Sequence, residues 1–450
     1  MSFVSDTALS LRTWPAFFLA VVALLGPQVS AAPQFSDPKI GLEFEQPGAL
    51  YSRNSRCTLE LTKQAKWKNV QTLTDGQWSW RYGNNWKLTG ENIPGGIKGE
   101  ARFEYIVGPV VLRTNDFAEA ATAVANDVLN LPFGEKDGRG NPIYDYRLDG
   151  LDDCNDWTLG HAWVQYDNGQ KGFHIWDGPD ACYDMLFETQ LTAATPLSGY
   201  WRLAKHMATK ANNQPLWENL LWPDVNARKA YFSVVVPELF AARPNDMSAR
   251  SVQNNLSLLG FLSFVVNVAE SAHRLPAGKS TKHFMLLMPR TDFVTMYWLV
   301  AKDVKGDLWK LVKHLICHRV NSKGKAVLDS SKCSTNMVGT LKLDKEHIWK
   351  TADGRHPLDI KDWVRGIQEG RDLLQRWDKD HYNGQVGGFG NKLEYLDGST
   401  NQKEAAVIIE YRGLKEMIRD EIPQASVDME SAIIDLHRLD MEDRRRAGPS

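Results

Sequence analysis

Four short segments of the chain carry charged side chains at spacings that suit the binding of a cation or an anion. The first is 40–45, with the sequence IGLEFE. Alternate side chains of a β-strand point to the same face, so Glu43 and Glu45 share one face. Two neighbouring carboxylates repel each other unless a cation lies between them, and Mg²⁺ prefers oxygen ligands. The pattern suits a metal site, but for this segment taken alone an edge strand with its acidic face in water is the preferred interpretation.

The second segment is 102–109, with the sequence RFEYIVGP. In a strand, Phe103, Tyr105 and Val107 form one apolar face, and Glu104 is the lone acid on the opposite face. Glu104 is therefore a candidate third metal ligand. A strand with one solvated face is again the alternative.

The third segment is 407–413, with the sequence VIIEYRG. Glu410 and Arg412 share a strand face directly after an apolar run that is typical of a buried strand. Charges at such a position are costly unless they are paired or bound to a ligand. A guanidinium on a rigid strand suits bidentate contact with a phosphate or a carboxylate. The alternative is a structural Glu–Arg ion pair.

The fourth segment is 288–293, with the sequence MPRTDF. Arg290 follows a proline in an apolar context and is a candidate clamp for a phosphate or a substrate carboxylate. The alternative for this segment is a helix start, with Thr291 or Asp292 as the N-cap residue.

The surrounding elements are predicted from periodicity and breaker residues. Strands are expected at 40–45, 57–62, 77–82, 85–89, 99–107, 161–166, 172–176, 229–236 and 405–410. Helices are expected at 116–130, 198–211, 305–316, 359–378, 411–421 and 426–441. The apolar run 256–269 is too short to cross a bilayer and predicts a buried core helix. The order of elements favours an α+β fold with one antiparallel or mixed sheet and helices on one side.

The N-terminus has the pattern of a secretory signal peptide. Arg12 precedes an apolar run at 14–26, and small residues follow at 29–31. We expect cleavage after Ala31 and a secreted mature chain, with an uncleaved anchor as the alternative. The predicted organisation is a signal peptide at 1–31, one domain at 32–425, and a C-terminal helical tail at 426–450.

Composition and cysteine content restrict the environment and the partners. The formal net charge is −2 with acidic and basic residues interspersed, so nothing indicates a nucleic acid or an anionic membrane as partner. Disulfides are expected in a secreted chain, and local pairing would join Cys154 to Cys182 and Cys317 to Cys333, leaving Cys57 odd. The spacing does not fix this connectivity.

Taken in order, the four segments resemble the amidoligase family, relatives of glutamate–cysteine ligase and glutamine synthetase. The resemblance spans roughly residues 38–421 and consists of a G-x-E-x-E strand, an acid before a Gly-Pro turn, a Pro-Arg segment and a late E-x-R strand. It implies a curved, mostly antiparallel sheet that holds ATP and Mg²⁺. The implied reaction phosphorylates a carboxylate, after which an amine attacks the acyl phosphate to give an amide.

The resemblance also implies roles for individual residues. Glu43, Glu45 and Glu104 would hold the metal. Arg290 would contact phosphate or substrate, Glu410 would bind metal or nucleotide, and Arg412 would neutralise the transferring phosphoryl group. The partners would then be a small-molecule or peptide carboxylate and an amine. The glycine-rich loop at 384–390 is a candidate nucleotide cover, with a plain flexible loop as the alternative.

Two features depart from the family pattern. The family often carries Gln or His on a central strand, and the best match is 230–234, where Tyr231, a poor Mg²⁺ ligand, holds that position. His161 or His174 are possible substitutes. Secretion also delivers the chain to an ATP-poor space, which favours a toxin or effector that enters another cell, action where ATP leaks, or a fold kept for binding.

Two other functions remain open on the sequence. One is a catalytically inactive secreted interaction protein on the same scaffold. The other is a hydrolase or transglutaminase with Cys154 as nucleophile and His161 or His174 as base, although in a secreted chain with Cys182 nearby a disulfide explains Cys154 better.

Overall fold

The computed structural model describes part of the 450-residue chain. The described residues are 35–36, 38–45, 49–52, 81–83, 85–92, 100–129, 135–136, 142–143, 157–160, 163–167, 170–174, 186–209, 215–221, 255–274, 287–304, 306–322, 326–329, 360–371, 393–396 and 404–447.

Twelve of the described strands form one sheet. Its main path runs β1 (Phe35–Ser36), β16 (Leu393–Leu396), β17 (Glu404–Tyr411), β12 (Leu186–Thr195), β2 (Lys39–Glu45), β6 (Glu100–Val111), β3 (Ala49–Ser52) and β9 (Trp157–Gly160). Beside this path lie β4 (Arg81–Gly83), β5 (Trp86–Asn92), β13 (Leu287–Pro289) and β18 (Met417–Ile418). The described pairings in this sheet are antiparallel except that of β1 with β16.

Three smaller pairs of strands complete the described β-structure. They are β7 (Glu135–Lys136) with β8 (Pro142–Ile143), β10 (Trp163–Asp167) with β11 (Gln170–His174), and β14 (His318–Val320) with β15 (Ala326–Leu328).

Residue alternation gives the central strands two different faces. Leu42, Tyr105 and Leu191 lie on one face and are buried. Phe187 completes this apolar face, with its ring edge-on to those of Phe44 and Tyr105. The opposite face carries the acidic side chains of β2 and β6, so the side-chain period of two separates the core from the candidate site.

A bulge in β6 brings that strand close to β2. The register passes from Ile40↔Val110 to Leu42↔Val107, so two residues of β6 oppose Gly41. Gly108 has a φ of +84°, and a Cβ atom there would lie 2.7 Å from the carbonyl oxygen of Ile40. Glycine is therefore required at this position of the Gly-Pro segment. The Gly108–Pro109 peptide is cis.

The structure describes seven α-helices. They are α1 (Asp116–Leu129), α2 (Leu197–Thr209), α3 (Leu256–Arg274), α4 (Phe293–Val300), α5 (Leu308–Cys317), α6 (Ile360–Gln368) and α7 (Ile422–Ala447). Short 3-10 turns lie at Pro215–Leu220, Ala301–Asp303 and Arg419–Glu421.

Helices α1 and α7 cover the apolar face of the sheet. Helix α1 packs on β6, and Asp127 of α1 accepts a hydrogen bond from the hydroxyl of Tyr105 at 2.8 Å. Helix α7 packs against α1 and β12 with an apolar side that is buried at Met429, Ile433 and Leu436.

Helices α2 and α3 pack closely through a glycine. A Cβ atom at Gly260 would lie only 2.0 Å from the carbonyl oxygen of Leu197, so no larger residue fits without displacing a backbone. The rings of Tyr200 and Phe264 stack with centroids 3.5 Å apart, and Asn267 donates to the Tyr200 hydroxyl. The run 256–269 therefore forms a buried core helix, as predicted, and no described helix is long and apolar enough to cross a membrane.

The structure confirms the α+β class with an antiparallel sheet and helices, and it corrects two helix predictions. Residues 411–421 do not form a helix, because β17 ends at Tyr411, Gly413 has a φ of +63°, and β18 then pairs with β12. The helix predicted at 359–378 ends at Gln368, and Gly370 follows with a φ of +71°. The predicted helix at 426–441 is part of the longer α7.

Several sequence predictions fall outside the described residues. These are the signal peptide at 1–31, the strands at 57–62 and 229–236, and the loop at 384–390. Cys317 is disulfide-bonded. Cys333 lies outside the described residues, so the pairing of these two cysteines stays a prediction.

Candidate functional site

Glu43, Glu45 and Glu104 form a compact acidic cluster on one face of the sheet. One oxygen from each carboxylate can be chosen so that all three lie within 4.8 Å of one another. The register explains the cluster, because Glu45 lies directly opposite Glu104 and Glu43 is two residues away on the same face. Glu104 is 0% exposed, whereas Glu43 and Glu45 are half-buried. The cluster thus runs from the interior toward the surface.

The donor set of this cluster fits a hard divalent cation. Three carboxylates supply only oxygen ligands, and Mg²⁺ binds through one or two protein carboxylates together with water and phosphate oxygens. Three like charges within this distance repel one another, which favours occupancy by a cation. Gln190 of β12 donates from Nε2 to Glu45 Oε1 at 2.5 Å and fixes the orientation of that carboxylate.

A second charged cluster lies where β13 pairs with β17. Glu410 is 3% exposed and accepts from Arg290 Nε at 2.5 Å. Arg290 Nη2 also forms an ion pair with Glu410, and Arg412 Nη1 lies 3.2 Å from the other carboxylate oxygen. One carboxylate against two guanidinium groups leaves one net positive charge. The Arg412 side chain is 28% exposed, so it is the member of the cluster that is most accessible to a ligand.

The backbone holds Arg290 rigidly beside β17. Pro289 ends β13, and the next amide, that of Arg290, donates to the carbonyl oxygen of Ile408 at 2.8 Å. The hydroxyl of Thr291 accepts from the Ile408 amide at 2.8 Å. Asp292 then caps α4 by accepting from the Thr295 amide. The segment is therefore both a helix start, with Asp292 as the cap, and the support for Arg290.

The two clusters share one face of the sheet. Glu410 lies opposite Thr192, and Thr192 lies opposite Gly41, which is two residues from Glu43. With strands about 4.8 Å apart and about 3.3 Å per residue, the Cα atoms of Glu410 and Glu43 are roughly 12 Å apart. Leu191 of β12 lies opposite Tyr411 of β17, so the same antiparallel register continued by one residue places Arg412 opposite Gln190. The structure therefore brings together all six sequence-predicted residues on a single surface.

The central strand of this surface is β12, which sequence reasoning missed. We matched the family's central polar residue to Tyr231, which lies outside the described residues. The strand between β2 and β17 carries Gln190 and Thr192 on the site face, in a Q-x-T pattern. That pattern was visible in the sequence. The order of the strands, however, depends on long-range pairing, and the local sequence favours the β-branched run at 229–236 as the central strand.

Lys87 of β5 also lies on the site face. Lys87 is opposite Ile106, which is opposite Glu43, and Thr89 is opposite Glu104. The register therefore places a lysine one strand beyond the acidic cluster. The sequence predicted a strand at 85–89 but no site residue in it.

The remaining candidates are not part of this surface or are not described. His174 lies in β11, which pairs with β10 in a separate two-stranded sheet. Cys154 and His161, the proposed nucleophile and base of a hydrolase, lie outside the described residues.

Comparison of the chain with family models, with curated proteins and with solved structures gives no significant match. The geometry of the sheet surface therefore carries the functional argument.

Proposed function

We propose that the protein is a secreted, amidoligase-like enzyme that joins a carboxylate to an amine at the expense of ATP, with Mg²⁺. The observation that carries the proposal is the gathering of Glu43, Glu45 and Glu104 within 4.8 Å on the sheet face that also bears the Arg290–Glu410–Arg412 cluster. The finer assignment, to a glutamine-synthetase-like catalytic domain with a curved sheet, is part of the same proposal.

In the proposed reaction, a substrate carboxylate oxygen attacks the γ-phosphorus of ATP and ADP leaves with the electrons of the broken P–O bond. The amine then attacks the acyl carbon, the C–O bond to phosphate breaks, and the nitrogen loses a proton to the departing phosphate to give the amide. The barrier falls chiefly through charge neutralisation and positioning. The bound Mg²⁺ would supply positive charge next to the phosphate oxygens.

The residues of this chain then have distinct tasks. Glu43, Glu45 and Glu104 hold the cation, and Gln190 keeps Glu45 oriented through its amide. Arg412 is partly exposed and faces the transferring phosphoryl group or the substrate carboxylate. Glu410 orients both arginines, and the rigid backbone at Arg290 restricts the reorganisation needed when charge moves.

A second candidate function is a non-catalytic secreted binding protein on the same scaffold. The ion pair between Arg290 and Glu410 favours the binding protein, because two donor groups of Arg290 already contact Glu410, which is 3% exposed. In that case the second cluster is structural. For the ligase, a signal peptide followed by a nucleotide site suits an effector that acts in the cytosol of another cell. The binding protein, by contrast, needs no ATP.

Mg·ATP binding separates the two candidates. Ligand at 100 times its dissociation constant stabilises the folded protein by about 2.7 kcal/mol, which a thermal melt detects readily. We expect Mg·ATP to raise the melting temperature of the native protein and not that of Glu43→Ala. The matched control is Glu188→Ala, because Glu188 lies opposite Glu45 on the same face but is exposed and outside the acidic cluster. An unchanged melting temperature of the native protein at millimolar Mg·ATP would contradict the ligase proposal and favour the binding protein.

A further inference from the structure

The C-terminal helix α7 is joined to the end of β12 and the start of α2 by buried polar side chains. His437 is fully buried, and its Nε2 lies 2.9 Å from the carbonyl oxygen of Ala194. A carbonyl oxygen only accepts, so Nε2 carries the proton of the neutral imidazole. One turn further on, Asp440 accepts a hydrogen bond from the hydroxyl of Ser198.

This junction closes the end of the central strand. The pairing of β12 with β2 extends only as far as Ala193, opposite Ile40, so Ala194 is the first residue beyond it. Ser198 lies in the first turn of α2, and Asp440 is buried as well. His437 and Asp440 of α7 therefore contact the strand and the helix that follows it, and an ion pair between Arg202 of α2 and Asp443 of α7 lies beside them.

The charges around His437 have opposite effects on its protonation. Burial is the largest influence and lowers the pKa of His437 from its ordinary value of 6.5 to about 4. The positive charge of Arg113, in the turn after β6, acts in the same direction, whereas Asp440 and the Ala194 carbonyl oppose it. Arg444 donates to Asp440 at 2.6 Å and so competes for the negative charge that would stabilise an imidazolium. Glu430, also on α7, accepts from the Arg113 amide at 2.9 Å, and burial raises the pKa of its carboxyl, so its titration opposes that of His437.

We propose that this junction is an acid-sensitive latch, in which uptake of a second proton by His437 releases α7 from β12 and α2. The second proton would go to Nδ1, which is buried. A charged imidazole inside the core is costly, and separation of the helix lets water reach it. Release exposes the apolar side of α7, which is buried at Met429, Ala432, Ile433 and Leu436.

The latch does not rest on the proposed ligase function. It rests on the burial of His437 and on the contacts of α7, and it holds equally for a binding protein. A secreted chain that meets an acidic compartment would respond there by uncovering apolar surface. Because β12 also carries Gln190, release would loosen the strand in the middle of the candidate site.

The direction of the pH dependence follows from proton binding. Between pH 6.5 and 4 the released state binds one more proton than the closed state, so release is favoured about tenfold per pH unit as the pH falls. His437 is half-protonated in the released state at pH 6.5 and in the closed state at pH 4, so the effect between these two pH values is about 80-fold. Above pH 6.5 both states are neutral at His437, and the contribution of the latch is complete.

Hydrogen exchange of the full chain tests the latch directly. After correction for intrinsic rates, we expect the protection of peptides from α7 to fall about 80-fold between pH 6.5 and 4. Helix α6 contains no histidine and serves as the internal reference, with its protection nearly constant. Loss of protection in α6 in parallel with α7 would indicate global acid unfolding and overturn the proposal, as would constant protection in α7.

Two variants sharpen the test. His437→Gln presents an amide Nε2 donor toward Ala194 and cannot be protonated, so we expect the pH dependence of α7 protection to shrink to less than tenfold. His206→Gln is the matched control, because His206 is also buried but is bonded to Glu218, and it should keep the native slope. A native slope in His437→Gln would overturn the proposal. If that variant fails to fold at pH 7, the comparison of α7 with α6 in the native protein still decides.

Discussion

The two charged clusters on the sheet face differ in how their charges are balanced. At β2 and β6 three carboxylates lie together, whereas at β13 and β17 one buried carboxylate lies between two arginines. Like charges gathered in this way suit a cation that arrives from outside the chain. Opposite charges already paired suit a fixed electrostatic scaffold. The difference predicts that neutralising a carboxylate will have opposite effects on stability in the two places.

The largest expected effect comes from removing the carboxylate of the second cluster. Glu410→Ala removes the buried carboxylate that pairs with Arg290, whose side chain is only 13% exposed, and breaking a buried ion pair costs about 3–5 kcal/mol of unfolding free energy. Urea unfolding measures this loss. The double variant Glu410→Ala with Arg290→Met should recover most of it, because no buried charge then remains. A loss below about 1 kcal/mol for Glu410→Ala, the size expected of an exposed pair, would show that the cluster is not a buried scaffold.

A smaller loss is expected at the exposed side of the same cluster. Arg412→Met removes one ion pair at 3.2 Å from a partly exposed position, and Arg290 still neutralises Glu410. The expected cost is about 1 kcal/mol or less in the same unfolding measurement. Arg438→Met is a useful control, because Arg438 is 52% exposed and pairs with Asp435 and Glu442 within α7. If Arg412→Met costs as much unfolding free energy as Glu410→Ala, Arg412 has the same structural role as Arg290. It would then not be a residue that contacts a ligand.

The smallest effect, and of opposite sign, is expected in the acidic cluster. Without divalent cations, Glu43→Gln removes like-charge repulsion and should stabilise the protein by roughly 0.5–1 kcal/mol. Saturating Mg²⁺ should reverse the order, because only the native protein gains binding energy. Chemical unfolding in chelator and in Mg²⁺ gives both values. Destabilisation of Glu43→Gln in chelator would mean that the carboxylate has a structural role, and the contrast between the clusters would fail.

Local patterns in the sequence predicted most of what depends on neighbouring residues. The period of two placed Glu43 and Glu45 on one face, and the apolar run at 256–269 predicted a core helix that became α3. Asp292 caps α4 through an interaction that spans only three residues. These features follow from one stretch of chain, and the sequence therefore contains them.

Features that depend on strand order were beyond the sequence. Gln190 faces the site because β12 lies between β2 and β17, and this arrangement joins residues more than 140 positions apart. The helix predicted at 411–421 failed for the same reason, since pairing of β18 with β12 overrides the local propensity. The contact of His437 with Ala194 spans 243 positions, and nothing near either residue indicates it.

The central claim is that the acidic cluster binds a divalent cation together with a nucleotide. Electron paramagnetic resonance with Mn²⁺ in place of Mg²⁺, in the presence and absence of a non-hydrolysable ATP analogue, measures this most directly. We predict saturable Mn²⁺ binding that the nucleotide tightens, lost in Glu104→Gln and retained in Glu188→Gln. Mn²⁺ affinity that is the same in native protein and in Glu104→Gln, or that ignores the nucleotide, would contradict the claim.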